Sequence, residues 1–317
     1  MPDHSQDLYS SDQCDPYRGD GDSRGVYRVA FIGAGRVGSA LGCLISHYGE
    51  PAGLKVAGYC SRTYASAHKA ARLTHSRIFS SPLDAWRNAD ILLITTPDSS
   101  ISSVWSSLSH HIDTDALQSD PQNQNQYEDS DSAPHCTSQD LHPRIIGHCS
   151  GALSADIFQG ATYRMSLHPL YAVESAQTWK ELNHAWWCLD GDPFSTRIVG
   201  ERFSAMGMHT RHIPSSEKVR YHAAAVLASN CATALFSRAV AQLVQCGFEE
   251  NEAYHALAAL FRGNAEHIAR SGILPSLTGP AQRGDWRTIE AHRACLTGDD
   301  RIIYDALTRE LQRLTDR

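Results

Sequence analysis

An α/β fold is predicted: a doubly wound parallel sheet followed by an all-helical C-terminal domain. Three observations carry this. Short apolar runs alternate with amphipathic stretches from Val26 to about Leu189, and a Gly-x-Gly-x-x-Gly turn joins the first run to the stretch after it. From Ser215 onward an Ala-rich, helix-periodic pattern replaces the strand-like runs. With 317 residues, 42% of them hydrophobic, the chain can hold two domains with a sizeable core.

Tyr27 to Ile32 is an apolar run ending in glycines, Val37 to His47 is apolar-periodic, and Leu54 to Cys60 is a second run, which reads as strand, helix, strand. A helix from about Ala65 to Arg72, a short strand near Arg77 to Phe79 and a buried strand from Asp90 to Thr95 continue the alternation. Arg144 to His148, Tyr163 to His168 and Trp186 to Leu189 are also strand-like. Ser215 is a candidate N-cap for a helix running to about Gln245, where Cys246-Gly247 stops it. A helix of that length would measure roughly 45 Å. Helices from about Glu249 to Ser271, Trp286 to Cys295 and Arg301 to Leu314 complete the second half.

The net charge of −7 is unevenly placed. Residues 1–25 carry six Asp against Arg18 and Arg24, and residues 113–142 carry seven acidic residues with no Lys or Arg. Both segments are too polar to offset ordering entropy, so a disordered tail and a disordered surface insertion are expected there. The remaining body is mildly basic, which suits an anionic small molecule and not a nucleic-acid backbone. Nine scattered cysteines without a C-x-x-C pair suggest neither a disulfide framework nor a zinc cluster, and no metal site is expected. Residues 1–25 lack the apolar core of a signal peptide. His222, Asn230, Arg238 and Gln242 would be costly in a bilayer. A cytoplasmic protein without nucleic-acid or membrane partners is the expectation.

Gly33-Ala34-Gly35-Arg36-Val37-Gly38 fits the dinucleotide fingerprint, and its place between strand and helix gives the sheet a Rossmann-like character. The first glycine allows the tight turn, the second admits a pyrophosphate, and the third lets the helix pack on the strand. The second strand ends in Cys60-Ser61-Arg62-Thr63, with no acid for a ribose 2′-hydroxyl. Arg62, flanked by Ser61 and Thr63, can instead pair with a 2′-phosphate, so NADP (NADPH) is the expected cofactor. Thr96 and Pro97 follow the fourth core strand, where backbone would be exposed beside the nicotinamide ribose; an ordinary strand-ending turn is the alternative.

Ser150 and the backbone at Gly151 follow a strand and could hold a carboxylate. His168 ends the next strand, pinned by Pro169. Arg283, beside Gly284 and Asp285, could bind an acid group. Lys218 and His222 are about 40° apart around a helix axis and Ser229 returns to about 20° from Lys218, while Asn230 lies about 120° away. A protonated Lys218 or His222 could deliver a proton as hydride arrives at carbon. Taken alone, each is better read as structural, Lys218 capping a domain junction and His222 as a satisfied core histidine; it is their shared face that points to chemistry.

These segments carry a resemblance. The Gly33 to Gly38 loop, His148-Cys149-Ser150-Gly151-Ala152-Leu153-Ser154, Ser166-Leu167-His168-Pro169-Leu170, Tyr221 through Asn230, and Leu277-Thr278-Gly279-Pro280 through Asp285 with Thr288 and His292 resemble the bacterial family that pairs a Rossmann-like domain with domain of unknown function 2520. The likeness covers nearly everything from Val26 to about Leu307. It implies an oxidoreductase with a plan similar to pyrroline-5-carboxylate reductase, 6-phosphogluconate dehydrogenase and ketopantoate reductase, and a homodimer formed through the helical domain. Where ketopantoate reductases carry an Asn one turn after the helix lysine, this chain has His222. The aromatic after His-Pro-Leu is shifted to Tyr171, and the acidic insertion is extra.

The sequence therefore predicts a nucleotide-binding domain over 26–214, with a family-domain border near 165, and a helical substrate and dimerisation domain over 215–317. The expected activity is NADPH-dependent reduction of a small carboxylate-bearing carbonyl or imine compound, with a ketopantoate-like 2-oxo acid as one candidate. Lys218, His222 and His168 form the catalytic set, and Ser150, Gly151, Asn230, Arg283 and Asp285 the substrate-binding set. A non-catalytic NADP-binding sensor or scaffold is the alternative reading.

Overall fold

The computed structural model describes residues 25–118 and 143–316. Among the described residues eight strands form one sheet: β1 (Tyr27–Ile32), β2 (Leu54–Cys60), β3 (Arg77–Ile78), β4 (Ile91–Ile94), β5 (Ile145–His148), β6 (Arg164–Pro169), β7 (Trp186–Gly191) and β8 (His209–His212). Their order is β3-β2-β1-β4-β5-β6-β7-β8, and every pairing is parallel except β6 with β7. The chain winds outward from β1 in one direction and from β4 in the other, so the order reverses between them. That reversal opens a crevice at the carboxyl ends of the strands.

The helices of this part are α1 (Arg36–Tyr48), α2 (Tyr64–Thr74), α3 (Pro82–Arg87), α4 (Asp98–Gln118), α5 (Trp179–Leu182) and α6 (Pro193–Ala205). Alternation along β1 sorts them into two layers. Val29 and Phe31 face a core shared with Leu41, Leu44 and Ile45 of α1, Ala67 and Ala70 of α2, and Val199 and Phe203 of α6. Ala30 and Ile32 face the opposite core, with Ala85 of α3 and Ile101, Trp105 and Leu108 of α4. Each large side chain fully buried in these layers contributes about 1.5–3 kcal/mol. At the amino end of the sheet the Asp90 carboxylate accepts from Arg28 N at 2.8 Å and from Arg28 Nε and Nη2 at 3.0 Å, tying β1 to β4.

The remaining helices are α7 (Lys218–Ala228), α8 (Asn230–Gln245), α9 (Glu250–Ser271), α10 (Ile273–Ser276), α11 (Pro280–Arg283), α12 (Trp286–Cys295) and α13 (Gly298–Thr315). Two compact units result, divided between His222 and Ala223, inside α7. Lys218, Tyr221 and His222 therefore belong with the sheet. Within the second unit Arg238 of α8 pairs with Asp300 at 2.6 Å, and Arg293 of α12 with Asp305 of α13 at 2.9 Å.

Several expectations need correction. The single helix from Ser215 to Gln245 is broken at Ser229, whose backbone leaves the helical region with φ −120° and ψ −79°. The Ser229 hydroxyl donates back to Ala225 O at 2.7 Å, a bond that competes with the helical ladder. Ser215 does not cap a helix. It opens a 3₁₀ turn, Ser215–Glu217, and donates its hydroxyl to Asp190 at 2.6 Å. Residues 113–118, assigned to the disordered insertion, continue α4 to Gln118. The rest of that insertion and residues 1–24 of the tail lie outside the described residues.

Candidate active site

The glycine loop follows from local sterics. Gly33 has φ 108°, a backbone conformation that side chains rarely tolerate, and a Cβ there would stand 2.8 Å from Thr95 C. A Cβ on Gly38 would meet Gly33 O and Thr95 Oγ1, both at 2.5 Å. Thr95 closes the turn by donating to Gly33 O at 2.7 Å. Gly35, by contrast, has nothing within 4 Å of its Cβ position, and as N-cap of α1 it supplies no side-chain bond to the first turn. The mouth is thus open where backbone N–H groups and the positive end of the helix converge, which suits an anion. Ala34 and Val37 are half-buried at its edge, and Arg36 is exposed. Beside the loop, the Thr96 hydroxyl is buried with no hydrogen-bond partner among the described residues, and Pro97 next to it is exposed. An orphaned donor next to an open anion cradle fits a bound dinucleotide.

At the end of β2, Ser61 is half-buried while Arg62 and Thr63 are exposed. Thr63 serves α2 as N-cap, its Oγ1 accepting from Ser66 N at 3.4 Å and donating to Ser66 Oγ at 2.8 Å. Arg62 makes no hydrogen bond or ion pair among the described residues, so its guanidinium is available to a phosphate.

A second cluster lies along the same edge of the sheet. Across β1, β4, β5 and β6 the register aligns Ile32, Ile94, His148 and Ser166 in one row. The residues that follow on the first three strands, Gly33, Thr95 and Cys149, begin the carboxyl edge, while β6 runs on past it to Pro169. His148 is fully buried, its Nδ1 accepting from Ser150 N at 3.1 Å and its Nε2 3.2 Å from Ser154 O, so both nitrogens have structural partners. Burial pulls its pKa down to about 4. Burial pushes the Cys149 thiol up to about 12, which leaves it a packed, inert group.

Ser150 was expected to receive a carboxylate, but its hydroxyl is engaged inside the protein. It donates to Asp98 Oδ2 at 2.7 Å and accepts from Ala152 N at 3.2 Å and Leu153 N at 3.1 Å. Its carbonyl accepts from Lys218 Nζ at 3.2 Å and from Ser166 Oγ at 3.3 Å. Lys218, 1% exposed, also donates to Ser166 Oγ at 2.9 Å. Burial draws its pKa below the usual lysine value, against an opposing pull from Asp190. Lys218 thus holds the turn after β5 in place.

That turn presents Gly151. A Cβ on Gly151 would lie 2.7 Å from His222 Nδ1 and 2.8 Å from His168 Nε2, so only glycine leaves both imidazoles where they are. His222 Nδ1 is buried without a partner among the described residues. His168 Nδ1 is 2.6 Å from the Tyr221 hydroxyl, and its pKa is pulled down to about 3, first by burial and then by Lys218 and His222. Lys218 and His222, placed on one helix face from sequence, do converge on consecutive residues, Ser150 and Gly151. Ser229 belongs to the second unit, where its hydroxyl bonds Ala225 O.

Asn230, Arg283 and Asp285 belong to the second unit and have local roles there. Asn230 Oδ1 accepts from Ser229 Oγ at 3.0 Å, and Arg283 is an exposed residue ending α11. Asp285 caps α12, accepting from Thr288 N at 3.1 Å and Thr288 Oγ1 at 2.7 Å, and these bonds hold its carboxyl below the usual range. Sequence reading gave no part to Asp98 and none to Tyr221, whose partners lie 52 and 53 residues away.

Two described families match this arrangement. Residues 28–117, which hold the glycine loop, Arg62 and Thr96, match the family described as NADP oxidoreductase coenzyme F420-dependent. Residues 185–311 match domain of unknown function DUF2520. Each half carries its own family signature. Among solved structures the chain is similar to protein TM1727 from Thermotoga maritima, with TM-score 0.66, 23% identity, and coverage of 91% of this chain and 98% of that one. It is similar to BF3122 from Bacteroides fragilis, with TM-score 0.63, 16% identity, and coverage of 92% and 100%. It is also similar to 1-pyrroline-5-carboxylate reductase from Streptococcus pyogenes, with TM-score 0.55, 11% identity, and coverage of 91% and 99%. At these identities the likeness is one of fold. No curated protein matches the chain.

Proposed function

We propose that the protein is an NADPH-dependent reductase of a small carboxylate-bearing carbonyl or imine compound. One observation carries this reading. The register row Ile32, Ile94, His148, Ser166 sets the glycine loop and the Gly151 cluster on the same carboxyl edge of one sheet. Three strand spacings separate β1 from β6, roughly 14 Å. A ribose and a nicotinamide ring extending from a pyrophosphate at Gly35 cover a distance of that order.

NADPH supplies the hydride when bound. Backbone N–H groups at the start of α1 take the pyrophosphate, Arg62 takes the 2′-phosphate, and the Thr96 hydroxyl gains a partner. His168 and His222 would then face the substrate atom that gains negative charge as hydride arrives, His168 as a hydrogen-bond donor and His222 passing to it the proton that completes the reduction and regaining one from solvent. Both nitrogens converge over a residue without a side chain, and the buried, unpartnered Nδ1 of His222 leaves a hydrogen-bonding position there to be filled. Lys218 does not reach the substrate directly; it fixes the Ser150-Gly151 turn and lends positive charge beneath it. A reductase with such a subsite suits an anionic substrate and the mildly basic body of the chain.

The exposed apolar side chains of the second unit, among them Leu227, Tyr254, Leu260 and Phe261, support a homodimer formed through its helices. Turnover tests the main reading. NADPH absorbance is followed with a panel of 2-oxo acids and cyclic imines; consumption with one of them supports a reductase, and binding without consumption across the panel supports a sensor instead.

A further inference from the structure

Among the described residues His168 makes one hydrogen bond, from Nδ1 to the Tyr221 hydroxyl at 2.6 Å, and the rings meet edge-on with centroids 5.6 Å apart. Its other nitrogen, Nε2, faces Gly151. The position of the single proton decides what this site offers. An imidazole protonated on Nδ1 shows the substrate a lone pair, and one protonated on Nε2 shows it a donor.

Two arguments make Nδ1 the acceptor, and in a neutral ring that places the proton on Nε2. A separation of 2.6 Å is shorter than the usual 2.7–3.2 Å of N–H donors to oxygen, which favours the phenol as the donor. Tyr221 also keeps its proton, because burial and the adjoining Cys188 both raise its pKa. Of its two neighbours, the Cys188 sulfur is a weak acceptor and the imidazole nitrogen a strong one, so the phenol proton goes to Nδ1. Burial holds the Cys188 thiol protonated as well. Finally, burial keeps His168 neutral, and a neutral ring whose Nδ1 accepts must carry its proton on Nε2.

We infer that Tyr221 is a positioning residue that locks His168 in the Nε2–H tautomer, so that the subsite over Gly151 presents a hydrogen-bond donor and not a base. The chemical meaning of this rests on the reductase reading, although the tautomer itself does not. An N–H fixed in this way bonds a carbonyl oxygen or imine nitrogen more strongly as negative charge develops there. Oriented by Tyr221, the ring needs no rearrangement when hydride arrives.

The test uses the full-length protein labelled with nitrogen-15 histidine, with NADPH added, and two-bond proton–nitrogen spectra in which His168 is assigned by its loss in His168→Gln. The neutral Nε2–H pattern is expected near neutral pH. Tyr221→Phe preserves the ring packing and removes the hydroxyl, and it should move His168 toward a mixture of tautomers. For any substrate found in the panel it should also lower kcat a few-fold, in proportion to the Nε2–H fraction lost, with KM for NADPH unchanged. His168 in the Nδ1–H form or charged in the wild type overturns the inference, as does an unaltered His168 pattern in Tyr221→Phe. If that variant does not fold, the wild-type spectrum decides alone. Absence of NADPH binding would remove the reductase reading while leaving this spectrum to stand or fall by itself.

Discussion

Lys218 Nζ donates a 2.9 Å hydrogen bond to Ser166 Oγ, and this bond ties the first turn of α7 to the middle of β6. Ser166 in turn donates to the Ser150 carbonyl, which also accepts from Lys218, so three residues from three elements close a triangle. The triangle fixes Gly151 beneath His168 and His222. Lys218→Met should retain the buried volume but leave the Ser166 hydroxyl without a donor, at a cost of about 1–3 kcal/mol, while the Ser150 carbonyl keeps only its bond from Ser166. Thermal denaturation should show a lowered Tm and kinetics a lowered kcat, with NADPH affinity nearly unchanged. Unaltered turnover would separate Lys218 from the active site.

Gly151→Ala tests the subsite by steric means. Its methyl would stand under 3 Å from both imidazole nitrogens, so one or both rings must move. Turnover should fall by roughly a hundredfold or more, since reacting groups displaced by about 1 Å lose that much. Calorimetric binding of NADPH should remain, because the glycine loop is untouched.

Arg62 is assigned to the 2′-phosphate. Arg62→Ala should weaken NADPH by about tenfold to a hundredfold, as loss of a charge-assisted hydrogen bond of about 1.5–3 kcal/mol implies, and change NADH little. Equal losses for the two nucleotides would count against the assignment.

His148 and His168 are held neutral, with pKa values drawn down to about 4 and about 3. Below the ordinary histidine value of about 6.5 the unfolded chain binds protons that the folded protein refuses. Stability is therefore fully present above about pH 6.5 and falls as pH drops toward 4, by up to roughly 1.4 kcal/mol per pH unit for each histidine. Urea titrations between pH 7 and 5 should show this loss, and His148→Gln or His168→Gln should flatten it.

Much of the fold was legible because apolar runs bounded by glycines announce buried strands. The bounds of β1 and β2 coincide with those read from sequence, and so do those of α12. Helix α4 escaped notice because seven serines lie between Ser99 and Ser109, a composition with low helix propensity. Its signal was present all the same: Ile101, Trp105 and Leu108 are spaced four and three apart and all point into one core. Similarly, Asp192 before Pro193 marked the start of α6, with Val199 and Phe203 on its buried face. Strand β8, His-Thr-Arg-His, offers no apolar pattern at all and is a strand only because β7 pairs with it.

In the site, local chemistry was readable and distant pairing was not. The spacing of Gly33, Gly35 and Gly38 already contained the three separate reasons for glycine. That Ser150 would give its proton to Asp98, or that His168 would find Tyr221, depends on segments more than fifty residues apart meeting at the strand ends. The reason for glycine at position 151 exists only once both imidazoles are in place.

The most direct measurement is isothermal titration calorimetry of the full-length protein with NADPH and with NADH. One NADPH should bind per chain, more tightly than NADH, and Gly35→Val should abolish the heat by filling the open mouth of the loop without unfolding the protein. No binding of either nucleotide, or binding that Gly35→Val leaves intact, would contradict the account.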